Sequence, residues 1–130
     1  MLTHVERLRV RWVDTDASGR IHYTAAFRYF EIAEWELFRR AGISFRGPDG
    51  EFSLPRVEVK AEFLAALHVD DEIAVHIRLG KLGRTSIAFV YEVFKGDVRA
   101  ITGQVTCVFI GQDQRPVPIP DNVRQALSAA

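Results

Sequence analysis

The chain has 130 residues, 48% of them hydrophobic and 26% charged. That length predicts a single domain over 1–130, large enough to bury a core without disulfides or metals. Its 17 basic and 17 acidic side chains cancel, so no bulk charge draws it to nucleic acid or to an anionic membrane.

Cys107 is the single cysteine, so no intramolecular disulfide can form; in the apolar run QVTCVFI it reads as a buried, inert thiol of a cytoplasmic protein. The sequence has neither the CxxC nor the HExxH spacing of a zinc site, and neither a metal nor an organic cofactor is expected. No apolar run is long enough to cross a bilayer, and the N-terminal MLTHVERLRV lacks the pattern of a signal peptide.

Residues 5–13, VERLRVRWV, alternate Leu8, Val10 and Trp12 with Arg7, Arg9 and Arg11, the period of a half-buried strand. The strand is expected to end in the polar cluster 14–19, which has turn chemistry and in which Asp14 is expected to hold the turn. A helix is predicted over 24–41, with Ala26, Phe27, Phe30, Ala33, Leu37 and Phe38 on one broad face. Glu36 and Arg40 form a favourable i,i+4 pair, and Gly42 supplies the C-terminal stop. At about 27 Å this is the longest element and the expected centre of the core. Glu34 projects into its apolar arc and therefore needs a partner, possible across a dimer interface.

Residues 43–55, with Gly47, Pro48, Gly50 and Pro55, read as a loop. Four strand-like segments follow: RVEVKAEFL, EIAVHIRL, TSIAFVYEVF and VRAITGQVTCVFI. The third carries Ile87, Phe89, Tyr91 and Val93 on one face and enough apolar residues opposite to predict burial on both sides. Short turn-like separators favour an antiparallel meander. Pro116, Pro118 and Pro120 stiffen the exit, and Asp121 is expected to cap a short final helix. One strand, one long apolar helix and four strands predict an α+β architecture in which a curved sheet wraps the helix.

The stretch RVRWVDTDASGRIHYTAAFRYFEIAEWELFRRAGI, residues 9–43, resembles the 4-hydroxybenzoyl-CoA thioesterase-like acyl-CoA thioesterases. The similarity lies in a basic strand, Asp-Thr-Asp, a Gly three residues on, an aromatic or His pair, and a helix carrying aromatic and acidic residues. KLGRTSIAFVYEV is similar to the start of a later strand in that family, and the element order matches along the whole chain. The resemblance implies the hotdog fold, a five-stranded antiparallel sheet wrapped around one long central helix. It implies homodimers or homotetramers with active sites at the dimer interface, and acyl-CoA as substrate. It makes Asp16 the catalytic carboxylate, acting by direct attack on the thioester carbonyl or by deprotonating water. It puts the Tyr23 backbone N–H in the oxyanion hole, near the unpaired amides where the helix begins.

Five further residues are site candidates, each with a plainer alternative. Glu31 is a second catalytic candidate that could point toward Asp16, or a surface Glu paired with Arg28. Gly19 lets the backbone approach substrate or simply makes the turn. His22 shapes the pocket or holds the acyl group, although some relatives carry His one residue later, where this chain has Tyr23, which favours a structural role. Phe27 is an aromatic of the core or of the acyl pocket. Arg84, in Gly83-Arg84-Thr85-Ser86, grips CoA phosphates with its guanidinium fork or faces water in a hairpin turn. The competing functions are a hotdog hydratase or dehydratase and a non-catalytic acyl-CoA-binding protein; a cystatin-like fold is the competing architecture.

Overall fold

A computed structural model describes residues 1–44 and 53–129. The elements are β1 (Thr3–Arg9), α1 (Ala25–Ala41), β2 (Arg56–Phe63), β3 (Glu72–Leu82), β4 (Ser86–Lys95), β5 (Val98–Val108) and α2 (Asp121–Ser128). The five strands form one antiparallel sheet in the order β1-β3-β4-β5-β2. Most of the predicted loop, including Gly47, Pro48 and Gly50, lies outside the described residues.

The meander holds for β3, β4 and β5 but not for β2, which sits on the far edge beside β5. Residues 64–71 cross from there to β3. Their polar turn is used against the end of β1 instead of folding β2 onto β3: Asp70 N–H donates to the Val10 carbonyl (2.7 Å), and Val10 N–H to that of Asp71 (2.9 Å).

The first strand is also shorter than its alternation suggested. Its ladder ends at Arg9 opposite Glu72, and Trp12–Asp14 form one turn of 3-10 helix. The Asp14 carboxyl accepts the Arg11 N–H at 2.9 Å, a local partner that competes with the ladder. Trp12, expected on the buried face, is 85% exposed.

One face of α1 packs on the sheet. Phe30 stacks on Tyr91 of β4 with ring centroids 4.2 Å apart, and Phe38 meets Phe89 edge-on at 5.8 Å. Gly103 of β5 makes room for the Phe30 ring, since a Cβ there would fall 2.4 Å from it and 3.0 Å from the Lys60 carbonyl oxygen. Ile87, Phe89, Tyr91 and Val93 are fully buried. Ala88, Val90 and Phe94, on the face pointing away from α1, are half-buried within the single chain.

Glu34 finds its partners within the chain. Arg56 Nη1 donates to its Oε1 at 2.7 Å and the Tyr91 hydroxyl to its Oε2 at 3.2 Å, tying α1 to β2 and β4. Burial pushes the Glu34 carboxyl up, and the Arg56 guanidinium pulls against that shift. Arg56 also donates to the Cys107 sulfur at 2.6 Å, while burial pushes that thiol up to about 11.

At the end of α1, Gly42 adopts φ 73° and donates to the carbonyls of Arg39 and Phe38, as a glycine stop should. Glu36 pairs with Arg39 and not with Arg40, which instead reaches the Thr3 carbonyl at 2.9 Å. Asp121 is the first residue of α2, and Pro120 holds the capping position in its place. Among the described residues no helix is long and apolar enough to cross a membrane.

Gly103→Ala is expected to cost about 1–3 kcal/mol through overpacking against Phe30, read as a lower denaturation midpoint in urea. An unchanged midpoint would remove this account of the helix seat.

Candidate active site

The segment between β1 and α1 folds back on itself as a compact turn. Thr15 pairs with Ile21, and Arg20 with His68, as isolated bridges. Asp16 N–H donates to the Arg20 carbonyl (2.9 Å) and Gly19 N–H to that of Asp16 (3.0 Å). Gly19 has φ 83°, a left-handed conformation that a side chain would strain, so the turn itself requires it.

Asp16 stands on this turn, fully exposed. Its Oδ1 accepts the Ser18 hydroxyl (2.6 Å) and the Ser18 N–H (2.8 Å). These two bonds, the hydroxyl's first, hold the carboxyl below the usual carboxylate range, with smaller help from the charges of His22 and Arg20. Oδ2 has no partner among the described residues. Asp16 lines an open groove of about 390 Å³ with Arg20, Ile21 and Tyr23. The other wall is apolar, built from Phe63 at the end of β2 and from Leu64, Ala65, Ala66 and Leu67. A second groove, of about 400 Å³, lies between β1 and the β4–β5 turn; there Arg9 is already committed to Asp70 and Glu72.

Tyr23 lines the Asp16 groove, just ahead of α1. Its neighbours' amides are all used: His22 N–H donates to the Asp14 carbonyl (2.7 Å), Thr24 N–H to His22 Nδ1 (3.3 Å), and Ala25 N–H to the His22 carbonyl (2.8 Å). The Tyr23 N–H has no acceptor among the described residues. It lies at the positive end of the α1 dipole, a favourable place for developing negative charge. His22 Nδ1 also lies 2.7 Å from the Thr24 hydroxyl oxygen. The His22 ring stacks on Tyr23 with centroids 4.5 Å apart.

The other candidates stand off this groove. Phe27 is half-buried and packs edge-on against Phe30 at 5.8 Å. Glu31 is exposed on α1, and Arg28, its expected partner, faces Asp14 at 3.6 Å. Arg84 lies in the β3–β4 turn. The eleven residues of β3 run from Glu72, beside Arg9, to Leu82, so Arg84 lies about 33 Å along the sheet from the Asp16 end of the same protomer. Its turn is pinned from behind, where Arg124 Nη2 donates to the Gly83 carbonyl at 2.6 Å.

Ser18 and the wall formed by Phe63 and residues 64–67 were not anticipated. Ser18 had a signal, since a serine two residues after Asp is a standard turn partner. The wall had none, because the crossing of 64–71 delivers it from a distant part of the chain. Among the described residues no group of three or more His, Cys, Asp or Glu side chains is arranged to hold a metal ion.

Comparison with known proteins identifies relatives along nearly the whole chain. The description of the thioesterase-like superfamily matches residues 10–127. A protein of Aquifex aeolicus, provisionally named an esterase, is 32% identical over 124 residues, covering 95% of this chain and 96% of that protein. A Synechococcus protein named 1,4-dihydroxy-2-naphthoyl-CoA hydrolase is 26% identical over 132 residues, 94% of this chain and 86% of its own. The crystal structure of a hypothetical protein from Aquifex aeolicus superposes with a TM-score of 0.91 at 30% identity, covering 96% of this chain and 99% of that one.

Replacing Ser18 by Ala removes the hydroxyl that contributes most to the low Asp16 pKa. The carboxyl of Asp16 is expected to titrate at higher pH in that variant, closer to an ordinary aspartate, when followed by carbon NMR. An unmoved titration would mean that the Ser18 hydroxyl is not the cause.

Proposed function

The chain belongs to the thioesterase-like superfamily, and from that membership we propose that it hydrolyses acyl-CoA thioesters to a free acid and CoA. The carrying observation is the open groove with one apolar wall that is lined both by Asp16, whose carboxylate has one unengaged oxygen, and by Tyr23, whose main-chain amide has no acceptor among the described residues. Relatives named as CoA-thioester hydrolases support the substrate class. The five-stranded sheet with its helices is that of hotdog thioesterases, and α1 is read as the helix that the sheet wraps.

In this reading the thioester carbonyl lies between Asp16 and the Tyr23 N–H. Asp16 either attacks the carbonyl carbon or takes a proton from a water that attacks it. As the carbon becomes tetrahedral, charge moves onto the carbonyl oxygen, where the Tyr23 amide and the helix dipole stabilise it. Collapse of the intermediate expels CoA as the thiolate. On the first route the resulting anhydride is hydrolysed by water in a second step. The low pKa of Asp16 keeps it ionised at neutral pH, as both routes require. His22 stacks against Tyr23 and Gly19 shapes the turn that carries Asp16, so both act on the groove from outside its lining. Glu31 and Phe27 are given no chemical step, because both lie off the groove.

A second protomer belongs to this reading. β2 is a sheet edge and leaves Val57, Val59 and Phe63 between 48% and 61% exposed, an edge suited to pairing. Two-fold pairing along β2 runs the second copy antiparallel, bringing its Arg56 end over this chain's Phe63 end. Arg56 lies opposite Cys107, and Cys107 opposite Ile87, so Arg84 shares that end of the sheet. Arg84 of the second copy thereby approaches the Asp16 groove, where it can grip CoA phosphates.

Asp16→Asn is expected to lower thiol release from a panel of acyl-CoAs by about 100-fold or more. Full retention of rate would end the assignment, and hydration of an enoyl-CoA without thiol release would favour the hydratase. Mixing Asp16→Asn with Arg84→Ala subunits is expected to regenerate one intact site in each mixed dimer, recovering about a quarter of wild-type activity. Recovery no greater than the sum of the two parents would place both residues in one protomer's site.

A further inference from the structure

We infer that Asp14 and Tyr29 are positioning residues: clamped to each other, they set the spacing between the Asp16 carboxylate and the Tyr23 amide. The inference rests on the hydrolase reading and concerns a pair that touches no substrate.

Asp14 and Glu34 are the two buried acidic side chains among the described residues, and Glu34 is accounted for by Arg56. Asp14 is 5% exposed and Tyr29, one turn into α1, is 3% exposed. The Tyr29 hydroxyl donates to Asp14 Oδ2 at 3.0 Å, and the same oxygen accepts the Arg11 N–H at 2.9 Å. Arg28 Nη2 stands 3.6 Å from Oδ1. Burial, and then the bond to Asp14, push the Tyr29 phenol well above its usual range, so it remains a donor at every pH of interest.

The main chain of Asp14 gives this clamp its consequence. Its carbonyl accepts the His22 N–H at 2.7 Å, a short bond directly ahead of Tyr23. Asp16 follows it by two residues. Both reacting groups are therefore tied to one residue, which the first turn of α1 holds by its side chain. The bonds between Asp16 and Arg20 and between Asp16 and Ser18 lie at exposed residues and move with the turn, while Ile21 N–H donates to the Leu67 carbonyl at 3.0 Å and ties its far side to the apolar wall, so the clamp is what sets the turn against α1. Losing the clamp lets the turn shift relative to α1, and a displacement near 1 Å between reacting groups costs on the order of 100-fold in rate.

Tyr29→Phe keeps the buried ring and removes only the hydroxyl. With an acyl-CoA substrate, kcat is expected to fall about 10-fold or more while KM changes less than about twofold, because geometry and not binding is lost. The acid limb of the rate profile should stay in place, since Asp16 keeps its Ser18 bonds. Asp14→Asn should lower kcat likewise, and the double variant should be no slower than the slower single variant. Wild-type kcat in Tyr29→Phe, a raised KM with kcat unchanged, or losses that add in the double variant would each overturn the clamp. If Asp14→Asn does not fold, Tyr29→Phe decides alone. Asp16→Asn and the unaltered protein are assayed beside them: absence of thiol release from the unaltered protein sinks the hydrolase reading, full activity in Asp16→Asn sinks the role of Asp16, and an inactive Asp16→Asn with a wild-type Tyr29→Phe sinks only the clamp.

Discussion

The seat of Phe30 over Gly103 fixes where α1 lies on the sheet, and most of what matters here follows from that placement. The ring occupies the space that a side chain on β5 would take and stacks on Tyr91 of β4. Four residues further along the helix, Glu34 meets Arg56 and the Tyr91 hydroxyl. An apolar contact and a buried ion pair on consecutive turns of one helix stop it from sliding or rolling. With the body of α1 held, its first turn becomes a fixed reference, against which Tyr29 steadies the preceding turn. Breaking the pair by removing Arg56 alone would strand a buried carboxyl, which generally costs more than the intact pair contributes.

Electrostatics act locally in this chain. Equal numbers of acids and bases leave no formal net charge, which weakens long-range steering and gives each charged group's neighbours the greater weight. Asp16 and Glu34 illustrate the two directions. Asp16 is exposed and bonded by Ser18, which lowers its pKa; Glu34 is buried, which raises it despite Arg56. One side chain is thus kept charged and available in the groove, while the other is retained as a tie between layers.

What the sequence revealed, and what it hid, divides by the range of the interaction. Period-two segments and the apolar face of α1 are local signals, and the strands and helix appear where they pointed. The glycine stop at Gly42 and the turn around Gly19 are local as well. The position of β2 was hidden, because pairing with β5 instead of β3 depends on where residues 64–71 travel. Trp12 misled because the alternating pattern runs on after the ladder has ended. Asp16 and Tyr23, which line one groove, were singled out by the resemblance of residues 9–43 to a known family. The apolar wall and the Asp14–Tyr29 contact join residues distant in sequence, so neither was written in a local pattern. The remoteness of Arg84 within one protomer is likewise a property of the sheet register.

The burial of Cys107 has a practical bearing on how this protein can be studied. Its sulfur is enclosed beside Arg56, and its pKa near 11 leaves almost no reactive thiolate at neutral pH. Chromogenic disulfide reagents will therefore register liberated CoA without a background from the folded polypeptide. The same reagents turn into a stoichiometric label once the core opens, so a single chemistry can follow turnover in the native state and loss of that state on heating.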